Sequence, residues 1–469
     1  MKHPLPILIL LALINPSGVT MAQSSGLSLE TALKSLPNAP AYKVAELTVQ
    51  SAQRQLEAAQ AGTGFNLTAN GAFNTSRTDG IPLENLTGQP STGGMQLSSS
   101  SGTVSATAGL TLLPWSPAFD GVRAAERQLE RANIDRLEAR SQLAAQVIKQ
   151  YFDLKLAGTD LELARSGVKL AKSRLDIANA QLEAGVGTRE GVLNAKQGLE
   201  ANSANERAAS NDLELRRRSL SITLGTNITA TELTTKLPDV NLKDNALEAG
   251  LPSALKRRGD ILKAISQVND AMDALESARR DRLVPDVGLN LQYGGVSQNG
   301  DTAGARVTGD LNFKTGQASV TPGYGFGSSS VGSRVSFGAN IAIPIIAPSG
   351  DTKISSSENQ LALAQHNLET VRINAELDVR TQHAAAQAAL AQVDVARAGL
   401  LSAQEKNANA EKRLTAGLGT IIDRETAKLA NAQAERDLGF ARMNAVSAIV
   451  RFVASLAPIN PMEALSSLP

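Results

Sequence analysis

Between Gly121 and about Glu183 the chain runs ~63 residues without a proline, and Ala, Leu, Lys, Arg, Gln and Glu dominate the stretch, so nothing in it stops a helix once begun. Such a helix spans about 95 Å, where a globular helix usually runs roughly 8–20 residues. From about Thr352 to Leu414 a second stretch of ~63 residues has the same character. Segments such as "HAAAQAALAQVDVARAGLLSAQ" and "ANSANERAAS" are Ala-rich, with thin apolar stripes on more than one face. Small residues on several faces suit close packing to neighbours on both sides, as in a curved wall of helices around a water-filled tube.

Both long stretches end in nearly the same turn. "AGVGTREGVLNAK" runs from Ala184 to Lys196, and 232 residues later "AGLGTIIDRETAK" runs from Ala416 to Lys428. Gly185 and Gly187, like Gly417 and Gly419, permit positive φ and end a helix, while Thr188 and Thr420 can cap the next one. A helix hairpin is expected at each place. Asp423 falls in the first turn of the second returning helix, where the helix dipole favours a carboxylate.

The segments before each long helix change period from 3.6 to 2. "FNLTANGAFN" places Phe65, Leu67, Ala69, Gly71 and Phe73 on one face, and "VSATAGLTLL" alternates likewise. In the second half Val287, Leu289, Leu291 and Tyr293 share a face, as do Val335, Phe337, Ala339, Ile341 and Ile343. The pattern predicts a first repeat over 23–225 (helix 28–62, strands 65–74 and 104–113, helices 121–183 and 190–224). A linker follows over 226–250. The second repeat occupies 251–456 (helix 253–283, strands 287–296 and 334–343, helices 352–414 and 420–456), with a tail over 457–469. The Gly/Ser-rich loop between the last two strands holds "VTGDLNF" and "ASVTPGYGF", candidates for a small extra hairpin.

The N-terminus, "MKHPLPILILLALINPSGVTMAQSSG", reads as a secretory signal over 1–22, with an apolar run from Leu5 to Ile14 and a small-x-small cleavage pattern at Thr20 to Ala22. Beyond it no run of about 18 apolar residues occurs, so a mature chain entering a membrane must do so as β-strands. Membrane barrels have at least about eight strands and leave no edge in lipid, so four strands demand several copies of the chain. Nine of the 14 aromatic residues, Phe65, Phe73, Trp115, Phe119, Tyr293, Phe313, Tyr324, Phe326 and Phe337, fall in the strand regions, as interfacial girdles require. The competing reading is a small soluble sheet between coiled coils.

Several classes are disfavoured. Lys plus Arg (46) and Asp plus Glu (45) nearly cancel, and "RRR" at Arg216 and "RRDR" at Arg279 have acidic neighbours, so no nucleic-acid partner is expected. Zero Cys removes disulfides and thiolate metal sites. His366 and His383 stand about 260° apart around a helix and form no local metal pair, and no nucleotide or nucleophile motif occurs. No catalytic residue, metal or cofactor is expected.

These residues resemble the TolC-like outer-membrane efflux and secretion channels (outer membrane factors). An "L-x-L-E-x-A-L" opening is matched by Leu27, Leu29, Glu30, Ala32 and Leu33. "L-P-x-x-L-x-x-R-P-D" is matched by Leu251, Pro252, Leu255, Arg258 and Asp260, with Gly259 where Pro is usual. The helix-to-strand "L-x-P-x-L-x-L" appears as Leu283, Pro285, Val287 and Leu289. The turn "A-G-x-x-x-x-x-D-V-L-x-A" appears as Ala184, Gly185, Val192, Leu193 and Ala195, and again as Ala416, Gly417, Asp423 and Ala427, with Gly191 in place of the first acid. The resemblance implies a mixed α and β membrane protein: a homotrimer with a 12-stranded barrel, four strands per chain, continued by an α-helical periplasmic tunnel built from two internal repeats. It implies outer-membrane lipid, a periplasmic adaptor (membrane fusion) protein and an inner-membrane efflux or secretion transporter as partners. Gly185, Val186, Gly187 and Thr188, with Gly417, Leu418, Gly419 and Thr420, become the adaptor-docking tips, and Asp423 a candidate entrance gate. The rival is a non-conducting periplasmic spacer or tether of the outer membrane.

Overall fold

The computed structural model describes residues 27–78, 97–228, 233–239, 241–243, 245–296, 302–326, 331–343 and 348–456; the expected signal and the tail lie outside these. The elements are α1 (Leu29–Lys34), α2 (Pro40–Thr63), β1 (Asn66–Thr78), β2 (Leu97–Thr111), α3 (Pro117–Glu183), α4 (Arg189–Leu224), α5 (Ala246–Arg257), α6 (Gly259–Leu283), β3 (Asp286–Val296), β4 (Thr302–Asn312), β5 (Gln317–Phe326), β6 (Gly332–Ala342), α7 (Pro348–Thr415) and α8 (Ile421–Ser455). α3 has 67 residues and α7 68, and each is unbroken. Among the described residues no helix is long and apolar enough to cross a membrane.

The elements refine the expected pattern at three places. The helical stretch over 28–62, whose periodicity breaks around Pro37 to Pro40, is divided there: α1 stops at Lys34, a 3-10 turn covers Leu36–Asn38, and α2 begins at Pro40. Pro37 starts the 3-10 turn, and Pro40 forces Ala39 into extended backbone at φ −62° and ψ 136°. The helix expected over 253–283 is also two. Arg258 turns extended at φ −61° and ψ 135°, and α5 begins inside the expected linker, at Ala246. In the sheet the candidate hairpin segments "VTGDLNF" and "ASVTPGYGF" fall on β4 and β5 and join the four expected strands, so that among the described residues six strands run in the order β1-β2-β5-β4-β3-β6. The β4–β5 hairpin lies between β2 and β3, so those two never pair.

The chain divides into two compact units, one formed by residues up to Ala39, Val147–Pro238 and Leu400–Met443, the other by Pro40–Gln146, Asp239–Gly399 and residues from Asn444. Each draws on both halves of the chain, because α3 and α7 each contribute to both. In the first unit Val147, Ile148, Tyr151 and Phe152 of α3 are buried, as are Leu220 and Leu224 of α4 and Met443 of α8. Burying an aromatic or aliphatic side chain of this size stabilises by about 1.5–3 kcal/mol. Tyr151 keeps its hydroxyl satisfied there: it donates to the Leu27 carbonyl at 2.7 Å and accepts the Thr235 amide at 3.1 Å. That pair ties the "L-x-L-E" opening to the segment after α4, which also meets it in a parallel bridge, Leu27 to Leu233.

In the second unit Ala254 of α5, Val379 and Ala386 of α7 and Ile449 and Phe452 of α8 form one buried cluster. Arg258, at the break between α5 and α6, donates to Asp260 at 2.8 Å, to Asp378 at 2.7 Å and to the Ser455 carbonyl at 3.2 Å. A Cβ at Gly259 would come 2.6 Å from Ile134 Cγ2 and 2.0 Å from Glu138 Oε1. A proline at that position would need those two side chains to move. Charged pairs join α3 to α6: Arg127 with Asp270 at 2.5 Å and Asp273 at 2.7 Å, and Lys263 with Asp135 at 2.5 Å and Glu138 at 2.7 Å.

Every pairing in the sheet is antiparallel, and paired residues share a face. Leu67, Val104, Tyr324, Val307, Tyr293 and Val335, one from each strand, fall on one side, all of them exposed. Asn70, Ser105, Thr308, Gln292 and Ser336 fall on the other. An apolar face of that extent has no place against water.

Candidate functional site: two matched helix turns

The two turns have the same backbone construction. At the first, Gly185 adopts φ +70°, its amide donates to the Leu182 carbonyl at 3.0 Å, and the Val186 amide donates to Gln181 at 3.0 Å. At the second, Gly417 adopts φ +71°, its amide donates to Leu414 at 3.0 Å, and the Leu418 amide donates to Arg413 at 2.8 Å. Both are Schellman motifs, with the left-handed residue supplied by glycine. In each, a large apolar side chain follows that glycine and is left to solvent: Val186 is 80% exposed and Leu418 73%.

The second glycines differ in tolerance. A Cβ at Gly187 would lie 2.8 Å from the backbone of Gln181 and Leu182, whereas at Gly419 the tightest approach is 3.3 Å, to Arg413 Cβ and Leu414 N. The first turn is closed so tightly that only glycine fits.

The caps differ too. Thr188 accepts the Gly191 amide at 3.0 Å, and Gly191 has no side chain to answer it. Thr420 accepts the Asp423 amide at 3.1 Å, and Asp423 Oδ2 accepts the Thr420 amide at 3.0 Å and its hydroxyl at 2.8 Å. The second turn is thus a capping box with Asp at the third helical position. The backbone N–H of Thr420, then its hydroxyl, then nearby Arg413 hold the exposed Asp423 carboxyl below the usual aspartate range. The Arg424 guanidinium does the same for Glu425, which it meets at 2.6 Å.

Within this unit the turns lie at the same end. α8 runs antiparallel to α3: Arg436 meets Asp160 at 2.7 Å, and Arg174 donates to Thr426 Oγ1 at 3.0 Å, so the ends of α3 and the start of α8 are neighbours. Arg174 and Thr426 are 252 residues apart. Nothing in their local sequence marks them. Leu193 and Ile421, beside the turns, are apolar and 59% and 61% exposed. Their signal is a large aliphatic residue just past a cap in an otherwise small or polar stretch. Elsewhere, His383 is buried edge-on to Phe452, and His366 is exposed near Glu369. Among the described residues no group of three metal-ligating side chains gathers.

Comparison with solved structures places the fold. The chain is similar to the outer membrane protein VceC of Vibrio cholerae at 16% identity and a TM-score of 0.62, covering 92% of this chain and 96% of that one. It is similar to the CmeC outer membrane channel of Campylobacter jejuni at 16% identity and TM-score 0.65, covering 93% and 88%. It is similar to the open state of the Neisseria gonorrhoeae MtrE outer membrane channel at 18% identity and TM-score 0.63, covering 92% and 88%. No curated protein matches the sequence. The profile of the family described as "Outer membrane efflux protein" matches residues 33–226 and 250–457, a span that includes both turns. The chain therefore belongs to the outer membrane efflux protein family.

Proposed function

We propose that this chain is the outer-membrane exit duct of a tripartite efflux pump or a type I secretion system, working as a trimer. The sheet carries the reading. Among the described residues β1 and β6 each pair on one side only, so a single chain leaves two open edges beside an exposed apolar face. Lipid accepts that face but not the edges, whose unpaired backbone groups would each cost several kcal/mol. Joining copies edge to edge removes both.

The duct performs no covalent chemistry. An inner-membrane transporter supplies energy and cargo through a periplasmic adaptor, and the paired helix turns face that adaptor. Val186 and Leu418 offer matched apolar contacts to an adaptor hairpin, and Gly185, Gly187, Thr188, Gly417, Gly419 and Thr420 allow close backbone approach. The duct opens when these helix ends spread on docking. Asp423 contributes negative charge at the entrance, on the second turn only.

Reconstitution into planar bilayers, with projection images of the purified protein, tests the proposal. Ion conductance with a hollow end-on view supports the duct. A solid rod without conductance replaces it with the structural spacer.

A further inference from the structure

The β4–β5 hairpin stands in the sheet between β2 and β3 and continues its wall. Its strands have 11 and 10 residues, and roughly 9–11 suffice to cross a bilayer at a tilt. Their alternation continues that of the neighbours. Leu311, Gly309 and Val307 of β4 pair with Leu289, Leu291 and Tyr293 of β3 on one side, and with Ala305 they pair with Ala318, Val320, Pro322 and Tyr324 of β5 on the other. Arg306, Thr308 and Asp310 face the polar side, where Asp310 accepts from Asn290 at 2.5 Å. A plug or an external loop would have no need of a continuous apolar face.

Both ends of the hairpin are fastened. At the helix end the Phe313–Gly316 turn sits between the exit of β2 and the start of β3. The Leu112 amide donates to the Gly316 carbonyl at 2.8 Å, the Phe313 amide to Val287 at 2.9 Å, and Trp115 Nε1 to the Phe313 carbonyl at 2.9 Å. Gly316, at φ +68°, has no room for a Cβ, which would lie 2.9 Å from that of Leu113. At the far end the Phe326 ring lies over Gly102 of β2 and stacks on Phe73 of β1, with centroids 6.5 Å apart. Two irregularities exist, one of them a register shift in the β3–β4 ladder between Gly294 and Val296. The β2–β5 ladder lapses beside Pro322, which has no amide hydrogen, and there Thr107 and Thr321 bond through their hydroxyls at 3.0 Å.

We propose that β4 and β5 are structural staves of the barrel, so that three copies close eighteen strands instead of twelve and the outer-membrane pore passes solutes too broad for a twelve-stranded duct. This rests on the trimeric exit-duct reading. Barrel diameter grows roughly linearly with strand number, so the wall is about 1.5-fold wider, in the range of porins with roughly 16–18 strands that enclose an aqueous channel.

The test uses the full chain, which has no cysteine of its own. Thr107→Cys combined with Thr321→Cys should cross-link within each copy when trimers are extracted and oxidised. Neutral polymers of graded size, added only from the outer side of a planar bilayer, should enter to a radius about 1.5-fold that of a twelve-stranded relative. Should the double variant fail to assemble, electron cryo-microscopy of the unaltered trimer counts strands directly, and six per copy is expected. A conducting trimer that lacks the cross-link, excludes polymers at the twelve-strand radius or shows four strands per copy overturns the wide wall and leaves the exit duct standing. Absence of both trimer and conductance removes the exit duct, and the eighteen-stranded barrel with it, even where the cross-link forms.

Discussion

Thr420 and Asp423 cap each other: the threonine hydroxyl accepts the Asp423 amide at 3.1 Å while the carboxylate accepts the Thr420 amide at 3.0 Å. The carboxylate that would charge the entrance is therefore also a fastening of α8. Asp423→Ala is expected to raise single-channel conductance and to weaken block by multivalent cations; unchanged currents would remove the gate role. The fastening has its own pH signature. Because the folded-state carboxyl titrates below its unfolded value, its stabilisation is complete above the ordinary aspartate range and is lost as pH falls through the lowered one. Hydrogen exchange in the first turn of α8 should stay slow until the solution is more acidic than that range.

The turns should respond unequally to one added methyl. Gly187→Ala forces a Cβ onto the backbone of Gln181 and Leu182, so the first turn must open, at a cost of about 1–3 kcal/mol. Gly419→Ala meets its neighbours at 3.3 Å and should cost clearly less. Gly185→Ala and Gly417→Ala have open space but positive φ, and each should cost about 1–2 kcal/mol. Limited proteolysis at the turns gives the ranking, and equal susceptibility of the two second-glycine variants would contradict it.

Arg258 joins α6, α7 and the end of α8 through Asp260, Asp378 and Ser455. Its guanidinium is well shielded but its acidic partners are partly open to solvent, which reduces the penalty for breaking the cluster. Arg258→Ala should cost about 2 kcal/mol, and Arg258→Lys should recover less than half, since an ammonium cannot serve three acceptors in fixed directions. Burial pushes the Asp260 carboxyl up, but the bond and charge of Arg258 outweigh it and hold the group below its usual value. The cluster therefore stabilises above the ordinary aspartate range and fails as acid protonates Asp260. Thermal unfolding of the detergent-solubilised protein against pH reads both effects; a wild type and Arg258→Ala that lose stability in parallel on acidification would refute the coupling.

Gly102 and Phe326 should be coupled. A Cβ at Gly102 would stand 2.2 Å from the Phe326 ring, so Gly102→Ala must drive the ring off Phe73 and forfeit about 0.5–1.5 kcal/mol of stacking. In a Phe326→Ala background the same methyl meets no ring. The double variant should therefore be more stable than the sum of the single changes allows. Additive losses in melting temperature would show that the two positions do not touch.

What was legible in the sequence and what was not divides along the reach of the interaction. Long helices declare themselves locally: α3 and α7 have no internal proline and keep helix formers throughout, and a swap to alternation marks Phe65 to Phe73. The matching turns are local and repeated, so Gly185 and Gly417 stand out twice. The break at Arg258 is different, because it depends on Asp378 and Ser455, far along the chain. The hairpin at β4 and β5 was legible as "VTGDLNF" and "ASVTPGYGF", but its place was not, because only the register with β2 and β3 sets it between them. At the candidate site, the Arg174 to Thr426 contact that sets α3 beside α8 has no local signature.

The strand directions constrain how such a chain can change. β6 hands the chain to α7 on the same side from which α6 entered β3, because an even number of crossings separates them. One extra strand would deliver α7 to the wrong side of the sheet; two restore the parity and return α7 to the side of α6. In the proposed barrel, resizing therefore comes only in whole hairpins, each multiplied by the number of copies, so the bore would be quantised, with β4 and β5 as one quantum.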